Sequence, residues 1–403
     1  MSETWDYIIV GGGLAGASAI EGIREKDADG RILMVTRENH SPYHRPPLSK
    51  GLWTGKTPPE ELPVHPEDFY RERKVEMGLR REIIEIDPES RRVWDDRGIA
   101  YSFGQLLLAT GGKPRLLDVP GAAIEGVQYF RTLEDYLQLR ARIERLQHVL
   151  VLGAGFIGLE LAAALVGAGK EVALVYPEEY PMRRVLPRDL GLFVADYYRE
   201  RGVETVSGES VVAIEEHGGL LDARTAAGNR ITTQLILAGV GMTPNIDLAE
   251  GAGLAVNLGI EVDGFGQTSA PNVWAAGDVA EYPSALSARP TRTEHWDHAR
   301  EHGRVVGANM AGAAKRYEHL PMFYSDFFDL GWEAVGEFGP NLETDAIWKV
   351  ENREGVVYTL EEGVVVGVLL WNVWGQLDRA REILRAARPM SHEERRTAIP
   401  LEG

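Results

Sequence analysis

The chain contains no cysteine. That absence removes structural disulfides, thiolate metal sites, iron–sulfur ligation and any redox-active dithiol. If electrons pass through this protein, an organic cofactor has to carry them. Also missing is an apolar run of the roughly 18 residues that a membrane span needs. The first strand, WDYIIVGGG, begins almost at once with no basic leader ahead of it, so a cytoplasmic protein is the expectation. Positive charge is scarce: 43 Lys and Arg stand against 61 Asp and Glu, a net −18. Such a surface repels DNA, RNA and anionic membranes, and none of these is expected as a partner. Bound phosphates remain compatible with it, because loop amides can hold them locally.

A length of 403 residues exceeds one ordinary core and points to two or three domains. Short apolar strands alternate with helical stretches, the pattern of α/β architecture. A repeat organises the chain. YIIVGGGLAGASAIEGIRE near the start and VLVLGAGFIGLELAAALVGAG near 150 each read as buried strand, G-x-G-x-x-G, then helix. In the first, Gly11 permits the tight turn, Gly13 lets a pyrophosphate approach the backbone and Gly16 lets helix and strand pack closely. Gly153, Gly155 and Gly158 take those parts in the second. Each helix start offers free amides and partial positive charge to a diphosphate. One such loop is weak evidence; two, each followed by a second strand about 20 residues on, indicate two dinucleotides, one FAD and one nicotinamide nucleotide.

A carboxylate after the second strand of each unit is expected to hold an adenosine ribose. In RILMVTREN the expected position falls on Arg37, with Glu38 one step later; either Glu38 turns in or Arg37 meets the adenosine differently. In EVALVYPEEYPMRRVLP, Glu178 suits the 2′-hydroxyl of NADH, while Arg183 and Arg184 could instead hold the 2′-phosphate of NADPH; NADH is the favoured reading. LLLATGGKPR, with Ala109, Thr110 and Gly111, and LILAGVGMTPN, with Gly241, read as strand ends returning between nucleotide domains. NVWAAGDVAEYP ends a strand at Ala276 and presents Gly277 and Asp278, a carboxylate for ribityl or ribose hydroxyls. His295, His298 and His302 share a helical spacing, but no further ligand cluster completes a metal shell, and no metal is expected.

At this point the sequence resembles the FAD-dependent pyridine nucleotide oxidoreductases of the glutathione-reductase class, and within it the apoptosis-inducing-factor-like and ferredoxin or rubredoxin reductase subgroup. The resemblance rests on PYHRPPLSKGLW, GAGFIGLELA, YPEEYPMRRVLP, AAGDVA, EHWDHAREHGRVVGANMAGAAK, MFYSDFFDLGWEAVG and VVVGVLLWNVWGQLDRAREIL. It implies two Rossmann-like dinucleotide-binding domains plus a C-terminal α+β domain. Relatives that reduce disulfides or peroxides place a reactive cysteine after the first βαβ unit; here that stretch is HRPPLSK, so hydride would reach the acceptor through flavin alone. The resemblance assigns Arg45 to the FAD diphosphate. It sets Lys50 beside the isoalloxazine, paired with Glu160 of the second loop. A buried ammonium needs such a carboxylate and stabilises reduced, negatively charged flavin. Glu294, His295 and Trp296 are implied as flavin neighbours. Phe156 covers the flavin in relatives and would share the NAD loop with Ile157; spacing alone equally allows a core phenylalanine. Trp371 matches an aromatic of the C-terminal domain, where the four tryptophans between 332 and 374 fit either stacking or a compact β core.

The expected layout is an FAD domain over 1–117 and 247–320, an NAD(H) domain over 118–246 and a C-terminal domain over 321–403 of antiparallel strands and a helix from about 375. The closing SHEERRTAIPLEG reads as loosely ordered. The implied reaction is hydride transfer from NADH to FAD, then electron transfer to a ferredoxin- or rubredoxin-type protein, a quinone or another small molecule. The alternative is a redox sensor with a long-lived reduced-flavin–NAD complex that dimerises in response to NADH. The protein would be a monomer or a homodimer.

Overall fold

The structure, a computed structural model, describes residues 3–287 and 289–401. They form two compact units. The first holds the chain up to His44, Glu60–Lys113 and Thr243–Met322; the second holds Arg45–Pro59, Pro114–Met242 and the chain from Phe323. Arg45–Pro59 and the chain from Phe323 thus group with Pro114–Met242.

In the first unit, strand Glu3–Val10 lies between Ile32–Thr36 and Ala100–Leu108, parallel to both, with Val75–Leu79 beyond Ile32–Thr36 and Val273–Ala275 along Ala100–Leu108. Ile32–Thr36 and the ends of the flanking strands, Tyr7–Val10 and Leu106–Leu108, are buried on both faces because both are covered. Ile9, Met34 and Leu107 meet the helices, while Ile8, Leu33 and Leu106 fill the opposite core with Val93 and Phe103. Helix Leu14–Arg24 crosses helix Trp296–Met310 with almost no side chain between them. A Cβ on Gly303 would stand 2.3 Å from the Ala15 carbonyl oxygen, and one on Gly307 would stand 2.1 Å from that of Ala19.

The second unit repeats the plan: Val203–Ser207, Glu171–Tyr176, His148–Leu152, Leu235–Ala238 and Val127–Tyr129 form a parallel sheet in that order. Its C-terminal portion is a five-stranded antiparallel sheet ordered Met322–Phe327, Leu330–Gly336, Val364–Trp371, Glu354–Glu361, Glu343–Val350. Helix Leu377–Ala386 packs on it through Ala380 and Leu384.

The tail corrects the sequence reading. His392–Ala398 is a helix with a capping box, the Ser391 side chain accepting from the Glu394 amide while the Glu394 carboxylate accepts from the Ser391 amide. Tyr358 donates its hydroxyl to the Arg395 carbonyl at 3.1 Å. Ser391-x-x-Glu394 carried that signal in the sequence. Glu402 and Gly403, which end the stretch, lie outside the described residues.

Candidate active site

Each glycine loop sits at the carboxyl end of its parallel sheet, where open α/β sheets take ligands. The outer glycines are dictated by the protein. Gly11 has φ +121°, and a Cβ there would stand 2.1 Å from the Ala109 carbonyl oxygen; on Gly16 it would stand 2.4 Å from the Gly11 carbonyl oxygen. Gly153, with φ +96°, and Gly158 would meet the carbonyl oxygens of Gly239 at 2.5 Å and of Gly153 at 1.9 Å. The middle glycines differ. Gly13 and Gly155 cap their helices with φ −94° and −84°, which any residue adopts, and a Cβ on either meets nothing within 4 Å. Nothing in the protein asks for glycine there, whereas a diphosphate lying against the backbone does. Both loops therefore fit a dinucleotide.

The register also shows which residues after the second strands of the two loops correspond. Gly11 N–H donates to the Val35 carbonyl and Gly153 N–H to the Val175 carbonyl, both at 2.8 Å. Counting three residues on gives Glu38 and Glu178 as counterparts. Arg37, the position expected from sequence, aligns with Pro177 and is exposed. Glu38 accepts from the Tyr43 hydroxyl at 2.6 Å. Both glutamates are partly exposed at their loops.

Other first-unit residues gather at the same sheet edge. Ala109 N–H continues the ladder to the Val10 carbonyl at 2.8 Å. Asn245 staples the next turn: it accepts from the Thr110 hydroxyl on its carbonyl (2.9 Å), donates its side-chain amide to the Thr110 carbonyl (2.8 Å), and its backbone N–H reaches the Gly111 carbonyl (2.9 Å). Ala276 N–H reaches Leu108 at 3.1 Å, followed by Gly277 with φ +76°. The Asp278 carbonyl accepts from Arg292, which is paired with Glu294 at 2.6 Å. His295 caps helix Trp296–Met310. Lost hydration pushes its imidazole down to about 4, against Asp278 and Asp297. Trp296 donates its indole N–H to His44 Nδ1 at 3.0 Å. Behind this edge, His298 and His302 are fully buried with Tyr282 and Tyr317. His298 Nδ1 meets the Tyr317 hydroxyl at 2.8 Å, and His302 Nδ1 accepts the Gly277 N–H at 3.3 Å. Burial keeps both rings neutral, that of His302 down to about 3.

In the second unit, the stiff corner at 46–50 becomes a 3-10 turn, Pro46–Ser49, leading into Gly51–Thr54. Trp53 locks it, donating its indole N–H to the Leu48 carbonyl at 2.8 Å. Ser49 and Lys50 are thereby fixed against the glycine-loop helix Phe156–Gly167. Lys50 Nζ lies 3.2 Å from Glu160 Oε1 and 3.1 Å from Asp326 Oδ2, and 4.2 Å above the Tyr324 ring. Glu160 is buried and also accepts from Ser49 Oγ at 2.5 Å and Ser325 Oγ at 2.7 Å. Burial nevertheless pushes its carboxyl upward, the Lys50 charge and both hydroxyls offsetting only part. Burial works against the Lys50 ammonium, but Glu160 and Asp326 outweigh it and raise its pKa. The Lys50–Glu160 pair expected from the resemblance is thus formed. Ser49, Ser325, Tyr324 and Asp326 were not anticipated; their segments carried the resemblance, but no local pattern marks them as partners of a lysine.

Phe156 is partly buried against Trp332, 5.6 Å between ring centroids, with Ile157 exposed beside it. Gly241 has φ +107°, and its carbonyl accepts from Arg115 N–H at 2.9 Å. Met182 N–H donates to the Ala154 carbonyl at 3.0 Å, folding the loop of Arg183 and Arg184 back onto the glycine loop with both arginines exposed. Arg45 gives one N–H to the Arg131 carbonyl at 2.8 Å. Trp371 departs from its expected role. It has no exposed surface, and its indole N–H is spent on the Asn352 carbonyl at 3.0 Å. It is a core residue of the C-terminal sheet with no face to offer a flavin.

Comparison with known proteins agrees with this geometry. The family model for pyridine nucleotide-disulphide oxidoreductases matches residues 5–303, and that for the C-terminal portion of mitochondrion-associated apoptosis-inducing factor matches 306–355. The ferredoxin–NAD(+) reductase component of an anthranilate 1,2-dioxygenase system from Burkholderia cepacia is 32% identical, covering 94% of this chain and 94% of its own. A seedling monodehydroascorbate reductase from Cucumis sativus is 31% identical, covering 100% and 98%. The solved structure of a ferredoxin reductase from Rhodopseudomonas palustris superposes with a TM-score of 0.91 at 32% identity, covering 96% of each chain.

Proposed function

Because this chain belongs to the pyridine nucleotide-disulphide oxidoreductases, we propose that it takes hydride from NADH onto FAD and delivers electrons to a ferredoxin-type iron–sulfur protein. Membership makes it an FAD-dependent oxidoreductase of NAD(H); the acceptor is the step beyond. The observation that carries the reading is the pair of open middle glycines, Gly13 and Gly155. Each sits where a diphosphate needs bare backbone and the protein itself has no use for one. FAD is assigned to the first loop, with Glu38 for its ribose and Asp278 for hydroxyls of its chain. NADH is assigned to the second, with Glu178.

Bound FAD supplies the two-electron to one-electron conversion that no side chain here can perform. The chain's own residues bind, orient and tune. Lys50, held by Glu160 and Asp326, keeps a fixed positive charge for a reduced, negative isoalloxazine. Phe156, at the first turn of its helix, screens the nicotinamide position. Neither role needs a protein nucleophile, in keeping with the absence of cysteine. Ferredoxin as acceptor is supported by the Burkholderia relative, a ferredoxin–NAD(+) reductase component. A small organic acceptor is the second reading, favoured by the monodehydroascorbate reductase that matches the full chain.

The discriminating experiment is anaerobic: the purified flavoprotein is mixed with NADH, then with a [2Fe–2S] ferredoxin or with monodehydroascorbate radical. Rapid, saturable ferredoxin reduction is expected. Turnover with the radical alone would give the second reading. A persistent long-wavelength band with NADH-dependent dimerisation and turnover of neither would replace both with the sensor.

A further inference from the structure

A cavity of about 310 Å³ opens between the loop that carries Glu178, starting one residue beyond it, and the 339–344 turn of the C-terminal sheet. Glu179, Arg183 and Arg188 line it from one side, Leu342 and Thr344 from the other. Met182 N–H, bonded to the Ala154 carbonyl, ties this loop to the glycine loop. Two arginines facing a cavity on the loop whose Glu178 is assigned to the ribose would ordinarily welcome a phosphate. One of them is already engaged. Arg188 gives Nε at 3.0 Å and Nη2 at 2.5 Å to the same oxygen, Oε1 of Glu179. The contact holds the Glu179 carboxyl below its ordinary value. Both side chains face solvent, at 53% and 59% exposure, so packing does not impose the contact.

We propose that Glu179 is a specificity-determining positioning residue. By occupying Arg188 and lining the cavity with negative charge, it keeps the site selective for an adenosine bearing a free 2′-hydroxyl against one bearing a 2′-phosphate. Discrimination then has two parts of different kind. Glu178 offers a ribose hydroxyl an acceptor and a phosphate repulsion; Glu179 withholds the cation that would compensate a phosphate. This rests on the assignment of NADH to the second glycine loop, and it goes beyond it by naming a residue with no direct contact to the ribose in that assignment. Arg183 alone does not reverse the preference, because with Glu179 and Arg188 paired its charge is matched by Glu178, in a solvent-exposed site where each charge contributes modestly.

The test uses the flavin-loaded full-length protein and two probes, 5′-AMP and adenosine 2′,5′-bisphosphate, with calorimetric dissociation constants. Glu179→Gln should shift the ratio of the two affinities about fivefold toward the bisphosphate, the scale of one exposed ion pair. Adding Arg188→Met to Glu179→Gln should return the ratio to that of the wild type. In steady-state assays Glu179→Gln should lower KM for NADPH by a similar factor with kcat constant, a split that a general loss of structure does not produce. A wild type that binds 5′-AMP while Glu179→Gln leaves the ratio unchanged overturns this inference alone. So does a shift that persists in the double variant. A wild type that binds neither probe overturns the nucleotide assignment together with it.

Discussion

Replacing Lys50 by methionine strips a buried carboxylate of its counter-charge while keeping most of the side-chain volume. Glu160 would retain the hydroxyls of Ser49 and Ser325, and these are too few to hold a bare charge away from water. Its least costly response is to take a proton. From an ordinary carboxyl value of 4.5, at about 1.4 kcal/mol per pH unit, protonation costs about 3 kcal/mol at pH 7 and under about 1 kcal/mol at pH 5. The sign follows from linkage. A carboxyl whose folded pKa lies above its unfolded one contributes stability below the unfolded value and loses it as pH rises. Lys50→Met should therefore unfold more easily than wild type at pH 7, by at most about 3 kcal/mol because the raised wild-type carboxyl already carries part of this cost, with most of the deficit gone at pH 5. Glu160→Gln placed on top should recover much of it at pH 7. Urea unfolding of the flavin-loaded protein at both pH values measures this, and stopped-flow reduction by NADH should be slowed in the same variant. A deficit equal at both pH values, or a double variant no better than Lys50→Met at pH 7, would refute the reasoning.

Two further outcomes follow from other parts of the fold. Gly13→Ala and Gly155→Ala should fold with unchanged stability, since a Cβ there meets nothing within 4 Å, yet lose FAD and NADH affinity respectively. Gly11→Ala and Gly158→Ala, which drive a Cβ to within 2.1 and 1.9 Å of a carbonyl oxygen, should fail to fold; flavin content and circular dichroism separate the two classes. His298 and His302, buried neutral, bind fewer protons folded than unfolded. Stability should be full above about pH 6.5 and fall below it by about 1.4 kcal/mol per pH unit for each ring. His302→Gln should remove one ring's share of the measured slope, about 1.4 kcal/mol per pH unit, in denaturant titrations run between pH 6.5 and 5.

Where the sequence was legible, the reason was local. A strand, three glycines and a helix lie within twenty residues of one another, so the doubled loop could be read without coordinates. The same locality has two gaps. Arg37 and Glu38 both stay open because the sequence does not say where strand Ile32–Thr36 ends; the bond from Gly11 to Val35 does, and it aligns Glu38 with Glu178. The tail helix was missed because a seven-residue helix has too short an apolar period to notice, although its capping box was written out. Lys50 lay beyond local reading. Its burial is matched by Glu160 and Asp326, far along the chain; resemblance joined it to Glu160, and nothing in the sequence pointed to Asp326. Trp371 shows the converse hazard: an aromatic in a matching position is still a core residue when its N–H finds a backbone carbonyl.

The bare crossing of Leu14–Arg24 over Trp296–Met310 bears on how the protein is made. One partner leaves the ribosome among the first residues and the other only after most of the chain has been synthesised. Because the two backbones touch without intervening side chains, no substitute surface can shelter the early helix in the meantime. The opening glycine loop therefore waits, unfinished, through most of translation, while the strands of residues 127–238 can pair as they emerge. With FAD assigned to that loop, the flavin should be acquired late, and a polypeptide truncated before residue 296 should leave the ribosome colourless.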